Sequence, residues 1–461
     1  MTIRQEELDM KWKNWLAGLL ALTMLLGLTG CGGGEQFNTE KLTVWIWDEA
    51  QKETWETLAQ TWSEKNYVEV EFVVKNRETY WAELAKGAPP DILWVDSAHA
   101  QDCIAAGHLR SLDEYLDKDR TIQLKNYHSE LLGAFQSGGK TYALPKDSSV
   151  TALWYNKSIF DSMGLSYPDE TWTWETLYTN ACKLTNRHNG SFGLAIGEGD
   201  TVNGWYNLVY SYGGFLVGAD EAGSRVSGWG EETTGRAMEL LGRLIRDCMP
   251  SQPTMAQVGA EQLFAGGHVA MALQSSGEAL ELTQEPGASN WACTLLPYCD
   301  RDGSGDCGEG ERVSLLQGTG WAISAKSTDG AAAYSLLTAL CGEEGQKAQS
   351  AANLAQPAMT GLGEDWGVSL PDWDFSPYRT TLAEGTLMAA PVQLAGESWE
   401  DYAISDTMHT AWNNPDRMED MLSEQQAYTV SDLAAAQPAE PEEGQTEQNG
   451  PEDSGEEDAQ G

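Results

Sequence analysis

Aromatic and acidic side chains stand at the ends of apolar segments in this sequence. Trp47 ends the segment KLTVWIW and is followed by Asp48 and Glu49, while Asp96 directly follows the segment DILWV. A tryptophan ring offers a flat apolar face, and a carboxylate accepts hydrogen bonds in a planar geometry. This combination suits a ligand with apolar C–H faces and many hydroxyl groups, so these four residues are candidates for one wall of a binding site.

An acidic loop near residue 300 matches the spacing of a calcium-binding loop. Asp300, Asp302, Ser304 and Glu311 fit the pattern D-x-D-x-S-G-x5-E, which places oxygen ligands at alternate positions. Helices bracket such a loop in an EF-hand, whereas the segments on either side of this one look extended. We therefore expect no metal here, and a calcium site within a β-loop-β turn stays open as the alternative.

The cysteines do not form a metal-binding pattern. Seven remain after Cys31, and they include neither a C-x-x-C motif nor a Cys/His cluster at zinc spacing. Cys299 and Cys307 flank a glycine-rich turn and could form a disulfide. Buried reduced thiols are the expected state for most of the set.

The N-terminal residues predict an exported, lipid-anchored protein. Lys11 and Lys13 precede an apolar run over 15–28, and the sequence Leu28-Thr29-Gly30-Cys31 then resembles the bacterial lipobox. We expect residues 1–30 to be a signal peptide, Cys31 to be acylated and 31–40 to form a flexible tether. Either Met1 or Met10 could be the start. The chain would contact the membrane through its lipid anchor only.

Composition argues against nucleic-acid binding and indicates two domains with an acidic tail. The chain has 28 Lys and Arg against 70 Asp and Glu, a formal charge of −42, which opposes binding to nucleic acid. Nine acids and no base occupy 437–461, so we expect 434–461 to be a disordered acidic tail. The 41% hydrophobic content over 461 residues is enough for two domains.

Short strands and helices alternate along the chain, which predicts an α/β protein with a parallel sheet. Ligands in such proteins bind beyond the carboxyl ends of the strands, where Asp48 and Asp96 are expected to lie. The predicted strands cover 41–47, 67–74, 91–95, 192–196, 269–273 and 320–324, and the predicted helices cover 52–65, 78–86, 177–184, 235–246 and 331–340.

Four segments carry a resemblance to a known family. The segment GKTYALPKDSSVTALWYNKSIFDSMGL begins at Gly139, and PDI, FAGGHVAM and GTGWAIS begin at Pro90, Phe264 and Gly318. They resemble the family 1 extracellular solute-binding proteins, the maltose-binding-protein-like cluster. The resemblance extends from Leu42 to about Leu433.

This resemblance implies a fold and a function. The implied fold is a two-lobed periplasmic-binding-protein-like α/β fold with a ligand cleft between the lobes and crossover hinge segments. One lobe would comprise 41–147 plus 265–370 and the other 148–264 plus 371–433. The protein would be a monomeric, extracytoplasmic lipoprotein of an ABC importer, without catalysis or cofactor. It would capture a carbohydrate, expected to be a neutral oligosaccharide, and deliver it to the membrane permease by hinge closure.

The resemblance also extends the set of candidate ligand-binding residues. Ser148 and Ser149 depart from relatives that have a larger acid or aromatic residue there, so no particular sugar specificity carries over. The residues implied to line the cleft, beyond Trp47, Asp48, Glu49 and Asp96, are Asp147, Ser149, Asn203, Trp205, Tyr206, Gln274, Ser275, Ser276 and Trp399.

Two other functions remain as alternatives. The same fold could bind a polyamine or another non-sugar solute, because fold does not determine the ligand. A secreted glycoside hydrolase would also have an acidic, tryptophan-rich cleft, but no carboxylate pair in this sequence stands in a recognisable catalytic context.

Overall fold

The computed structural model describes residues 37–219, 225–370, 372–389 and 406–435. The predicted signal peptide, the lipidation site Cys31, the acidic tail from 436 onward and Trp399 lie outside the described residues. No described helix combines the length and apolarity needed to cross a bilayer.

The first lobe is built on a five-stranded mixed sheet. Lys41–Ile46 pairs in parallel with strands on both sides, and Leu42, Val44 and Ile46 on it are fully buried. Thr319–Ile323 runs antiparallel to its neighbours, so the sheet is not the purely parallel one that alternation alone predicts. The spatial order is Glu69–Val74, Lys41–Ile46, Ile92–Asp96, Thr319–Ile323 and Ala143–Pro145.

Helices with defined N-caps pack around this first sheet. The Asp48 side chain accepts the Ala50 N–H at the start of Glu49–Asn66, and the Asn76 side chain accepts two N–H groups at the start of Arg77–Lys86. The remaining helices of this part are Ala100–Ala105, Asp113–Leu116, Ser129–Ala134, Gly330–Cys341 and Glu343–Ala351, with a 3₁₀ turn at Leu124–Asn126.

The second lobe is built on a four-stranded sheet with the order Trp291–Thr294, Thr151–Asn156, Val269–Ser275 and Phe192–Ala195. Its two central strands, Thr151–Asn156 and Val269–Ser275, are buried along their whole length. The helices of this part of the chain are Lys157–Met163, Trp174–Leu184, Tyr206–Ser211, Glu232–Cys248, Gln252–Val258, Ala260–Ala265, Ser276–Leu282, Asp406–Asn413 and Met418–Ala435, with a π-turn at Thr201–Trp205 and 3₁₀ turns at Ala288–Asn290 and Pro415–Arg417.

The structure divides the chain differently from the predicted 265–370 assignment to the first lobe. Val269–Ser275 pairs with Thr151–Asn156 and with Phe192–Ala195, and Trp291–Thr294 joins the same sheet. This difference follows from which strands pair with each other, and the sequence of one strand does not show its pairing partners. The chain returns to the first sheet only at Thr319.

Short strands and one helix complete the connections. The helix Ser376–Glu384 packs on Thr151–Asn156. The paired short strands are Gln136–Ser137 with Lys140–Thr141, Asp147–Ser148 with Gln356–Pro357, Val217–Ala219 with Arg225–Ser227, and Val313–Leu316 with Thr386–Ala389.

Two crossover segments, 146–150 and 317–318, run side by side between the sheets. The chain leaves the first sheet after Pro145 and enters the second at Thr151, within the predicted crossing region. The Ser149 N–H donates to the Gln317 carbonyl at 2.8 Å, and the Gln317 N–H donates back at 3.1 Å. A Cβ on Gly318 would lie 2.2 Å from the Asp147 carbonyl oxygen, so this close approach requires glycine.

Candidate functional site

An aromatic and charged cluster lies at the carboxyl edge of the first sheet. The Trp47 and Trp81 rings meet edge to face with centroids 6.1 Å apart, and the His99 ring stacks on Trp81 at 4.3 Å. The Arg77 guanidinium lies 5.1 Å from the Trp47 ring centroid. Asp96 completes the group. We call these five residues the edge cluster.

Asp96 is the buried acid of the edge cluster. Its side chain is 10% exposed and lies 3.3 Å from Arg77 Nη2 and 2.7 Å from His99 Nδ1, and it also accepts the His99 backbone N–H at 2.8 Å. Burial lowers the pKa of His99, but the hydrogen bond and the charge of Asp96 more than offset this and raise it above its ordinary value. The Asp96 carboxylate therefore orients the Arg77 guanidinium and the His99 ring.

The edge cluster adjoins the crossover between lobes. Asp96 is the register partner of Thr319, the first residue of the returning strand. The Ser97 N–H donates to the Gly318 carbonyl at 2.9 Å. The side chains that follow Ile92–Asp96 therefore lie where the two lobes join, as ligand-binding residues of a cleft would.

Asp48 and Glu49 have different surroundings from Asp96. The Asp48 carboxylate accepts the Ala50 N–H at 2.9 Å and Gln51 Nε2 at 2.9 Å, so both of its oxygens serve the start of a helix. Glu49 is exposed in the first turn of that helix. Trp47, which precedes both, is half-buried within the edge cluster.

Asp147 and Ser149 lie in the first crossover. The Asp147 carboxylate lies 2.5 Å from the buried Lys146 ammonium and accepts the Thr319 N–H at 2.7 Å, so it links both crossovers. Ser149 Oγ lies 3.4 Å from Ser276 Oγ. These contacts place the two predicted residues at the junction of the lobes.

The hinge-facing edge of the second sheet carries Gln274, Ser275 and Ser276. Ser275 is the register partner of Thr151, where the first crossover enters the sheet. Its hydroxyl forms a capping box with Glu278 at the start of Ser276–Leu282. All three residues are buried, and the Gln274 carbonyl accepts the Tyr378 hydroxyl at 3.0 Å.

Asn203 also lies at this junction. Its side-chain oxygen accepts a hydrogen bond from Gln317 Nε2 at 2.5 Å, and Gln317 belongs to the second crossover. The structure thus brings Asn203 together with Ser149 and Ser276 through Gln317.

The structure does not bring Trp205 and Tyr206 to the cleft wall. They are 1% and 0% exposed, and the Trp205 ring packs against Trp229 and Trp412 in the core of the second lobe. The Trp205 Nε1–H donates to the Glu198 carbonyl at 3.1 Å. Both rings therefore belong to the core of the second lobe.

A second polar group lies just beyond the carboxyl end of the strand Phe192–Ala195. Glu198 is 5% exposed, and its carboxylate accepts from Gln252 Nε2 at 2.9 Å and lies 2.9 Å from His409 Nδ1. Burial raises the pKa of nearby Asp200, although the Gly197 N–H opposes this. Glu198 and His409 are therefore candidates for the wall that the second lobe contributes.

Sequence reasoning missed five residues of these groups. Arg77 and Glu198 follow strands that end at Val74 and Ala195, so the rule that found Asp96 also applies to them. Trp81 lies one helical turn after Arg77, and that spacing was the available signal. His99 lies three residues after Asp96, so its contact with that acid is local, although no pattern marks it as a binding residue. No local pattern marks His409, because its partner Glu198 is distant in sequence.

The acidic loop near residue 300 brings together Asp300, Asp302 and Glu311, whose ligand atoms lie within 4.8 Å of one another. Strands flank the loop, as expected. The two Glu311 oxygens accept backbone N–H groups from Arg301 and Gly308, each at 2.7 Å. Asp302 accepts the Ser304 N–H at 2.9 Å. The carboxylates thus already bind the loop backbone.

Comparisons with known proteins identify relatives over most of the chain. The family model of bacterial extracellular solute-binding proteins matches residues 57–369. A putative binding protein from Brucella abortus is 24% identical over 242 residues, which cover 51% of this chain and 56% of that protein. A lactose-binding protein from Rhizobium radiobacter is 21% identical over 324 residues, which cover 68% of this chain and 71% of that protein. The chain spans about half the length of the first of these relatives.

Solved structures share the fold. An ABC substrate-binding protein from Listeria monocytogenes in complex with cycloalternan has a TM-score of 0.70 at 20% identity, over 86% of this chain and all of that chain. The cyclic α-maltosyl-1,6-maltose binding protein from Arthrobacter globiformis has a TM-score of 0.70 at 17% identity, also over 86% of this chain and all of that chain. The two-lobed architecture is therefore that of the periplasmic binding proteins.

Proposed function

The chain belongs to the bacterial extracellular solute-binding proteins, and from this we propose that it captures a carbohydrate, a neutral oligosaccharide, between its lobes. It then delivers the sugar to the permease of an ABC importer. The anchor would be an acyl chain on Cys31, the location extracytoplasmic and the protein a monomer without catalytic activity.

The edge cluster is the observation that carries the carbohydrate proposal. Trp47 and Trp81 supply half-buried indole rings at the junction of the lobes, and ring faces of this kind stack on sugars. Arg77, Asp96 and His99 supply donors and acceptors whose orientations are already fixed by mutual contacts. A preorganised polar group beside aromatic faces is what recognition of a hydroxylated ring requires.

The charges of the edge cluster favour a neutral ligand over a cation. Asp96 is the buried carboxylate, and Arg77 and His99 already partner it. A polyamine would have to compete with these groups for the same oxygens. The names of relatives that bind sugars, such as lactose in the Rhizobium protein and multiple sugars in a Streptococcus mutans protein, support the same ligand class.

A thermal-shift screen across mono- and oligosaccharides tests this proposal, because a ligand that binds the folded state raises Tm. We expect an oligosaccharide to raise Tm, and Trp81→Ala to weaken its binding by about 1–3 kcal/mol in calorimetry. The matched control is Tyr67→Asn, since Tyr67 is 91% exposed and outside the edge cluster.

Other outcomes would redirect the proposal. A shift with spermidine and none with any saccharide would overturn the carbohydrate assignment and leave the importer role standing. Turnover of a chromogenic glycoside would instead identify a hydrolase.

A separate variant tests the lipid anchor. Cys31→Ala should release a soluble protein that still binds ligand, and a variant that stays with the membrane would contradict acylation at this residue.

A further inference from the structure

Two cysteines of the second lobe touch through their sulfur atoms. Cys182 Sγ and Cys248 Sγ lie 3.0 Å apart although 66 residues separate them in sequence. This separation is roughly 1 Å longer than the bond of a disulfide. Both are free thiols in the structure. A small rotation of either side chain would bring the sulfurs to bonding distance.

The helices that carry these cysteines are fixed against each other by neighbouring contacts. Trp174–Leu184 packs along Glu232–Cys248. The Tyr178 hydroxyl donates to Asp247 at 2.8 Å, and the Thr185 hydroxyl donates to the Cys248 carbonyl at 3.3 Å. The sulfur contact is therefore a consequence of helix packing and does not depend on one mobile side chain.

Accessibility differs between the two thiols. Cys248 is fully buried, whereas Cys182 is partly exposed. Burial, followed by the contact with Cys182, raises the pKa of the Cys248 thiol. An external oxidant would therefore meet Cys182 first, and Cys248 would be the resolving thiol.

We propose that Cys182 and Cys248 form a disulfide bond outside the cytoplasm and thereby cross-link the helices Trp174–Leu184 and Glu232–Cys248. Proteins of this family are extracellular, and disulfides persist in oxidising compartments. The alternative pair considered from sequence, Cys299 with Cys307, would only close a short exposed loop.

The oxidation proceeds by exchange with a disulfide oxidant, either a small molecule or a protein. The Cys182 thiolate attacks one sulfur of the oxidant, forms a mixed disulfide and releases one oxidant thiol. The Cys248 thiolate then attacks Cys182 Sγ and expels the second thiol. Two protein thiols are oxidised, one oxidant disulfide is reduced to two thiols, and these thiols take up the two protons.

The cross-link would stabilise the scaffold of the second lobe. It closes a loop that contains the strand Phe192–Ala195 and Glu198, so it restricts the unfolded chain over this whole region. This role is independent of which ligand the protein binds, and its test is independent of the proposed carbohydrate.

Mass spectrometry of the full chain tests the disulfide directly. The protein is equilibrated with oxidised glutathione or with dithiothreitol, denatured, alkylated and digested. We expect the oxidised sample to yield a peptide pair joined through Cys182 and Cys248, and its Tm to exceed that of the reduced sample by about 5 °C or more.

Variants separate this pair from the other cysteines. The double variant Cys182→Ala/Cys248→Ala should lose the redox-dependent change in Tm, whereas Cys299→Ser/Cys307→Ser should retain it. Complete alkylation of both Cys182 and Cys248 after oxidised glutathione would overturn the proposal. Because that measurement uses the natural sequence, it stands even if a variant folds poorly.

Discussion

At the residue scale, the Asp96 carboxylate favours the protonated form of His99. The pKa of His99 is raised because the hydrogen bond and charge of Asp96 outweigh burial, which acts in the opposite direction. The stability that this pair contributes is therefore fully present below the ordinary histidine pKa of about 6.5, and it is lost as pH rises through the raised value.

Removing the carboxylate should reverse the direction of the shift. In Asp96→Asn, burial and the Arg77 charge, which both lower the pKa of His99, lose the opposition of Asp96. We expect the pKa of His99, followed by NMR, to lie above 6.5 in the natural protein and below it in this variant. Glu198→Gln is the control and should leave His99 unchanged. An unchanged His99 in Asp96→Asn would show that another group sets its protonation.

Trp205 shows why a residue type alone does not identify a binding residue. The prediction from sequence put it on the cleft wall, and a change to alanine would then have weakened binding without harming the fold. Because the ring is 1% exposed among Trp229 and Trp412, Trp205→Ala should instead destabilise the protein by about 3–5 kcal/mol in urea unfolding. A variant of normal stability with weakened sugar binding would support the original prediction.

The residues that could be predicted are those with a local signal. Trp47 and Asp96 end strands that the apolar pattern marks clearly, and the structure brings both to the lobe junction. Trp205 has the same residue type as Trp47, but it packs against Trp229 and Trp412, which are distant in sequence, and no local pattern revealed this. The contact between Glu198 and His409 depends on packing between segments that are distant in sequence, so no local pattern predicts it.

At the scale of elements, an ion pair within the first crossover lies beside the second, and its acid links the two segments through a hydrogen bond. The Lys146 side chain is 1% exposed, and its ammonium lies 4.5 Å from the Trp94 ring centroid and contacts Asp147. Asp147 in turn accepts the Thr319 N–H. Removing one member of a buried pair leaves the other charge uncompensated, so Lys146→Met and Asp147→Asn should each cost about 3–5 kcal/mol.

The double variant Lys146→Met/Asp147→Asn should cost much less than the two single changes together, because neither uncompensated charge remains. Urea unfolding of the four proteins measures this. Strict additivity of the two single changes would show that the Lys146 and Asp147 side chains do not interact.

The acidic loop near residue 300 gives a second prediction for an element. Since both Glu311 oxygens accept backbone N–H groups, Glu311→Gln should lower stability by about 1–3 kcal/mol. We expect calcium to leave the Tm of the natural protein unchanged, because these oxygens are already engaged. A rise in Tm with calcium that Glu311→Gln abolishes would establish the calcium site that the sequence pattern allows.

Strands and helices were predictable because apolar periodicity is local, and most predicted segments coincide with elements of the structure. The assignment of Val269–Ser275 to a lobe was not predictable in the same way. The apolar sequence of this strand fits either sheet. Its pairing with Thr151–Asn156 and Phe192–Ala195 is what assigns it to the second lobe.

At the scale of the whole molecule, the proposed function requires the lobes to move about the crossovers. Hinge closure in two-lobed binding proteins changes the backbone at a few connecting residues. Ser149 and Gln317 exchange backbone hydrogen bonds, and Gly318 allows the two segments to touch. The crossovers can therefore act as one paired hinge.

Gly318→Ala should impair this hinge. The added Cβ would lie 2.2 Å from the Asp147 carbonyl oxygen, so the segments must separate, at a cost of about 1–3 kcal/mol in stability. If the protein binds an oligosaccharide as proposed, small-angle scattering should show compaction of the natural protein on binding and less compaction of the variant. Gly133→Ala is the matched control, because a Cβ added there would have no atom within 4 Å outside its own helix and its chain neighbours. Equal compaction of Gly318→Ala and the natural protein would mean that closure occurs elsewhere in the chain.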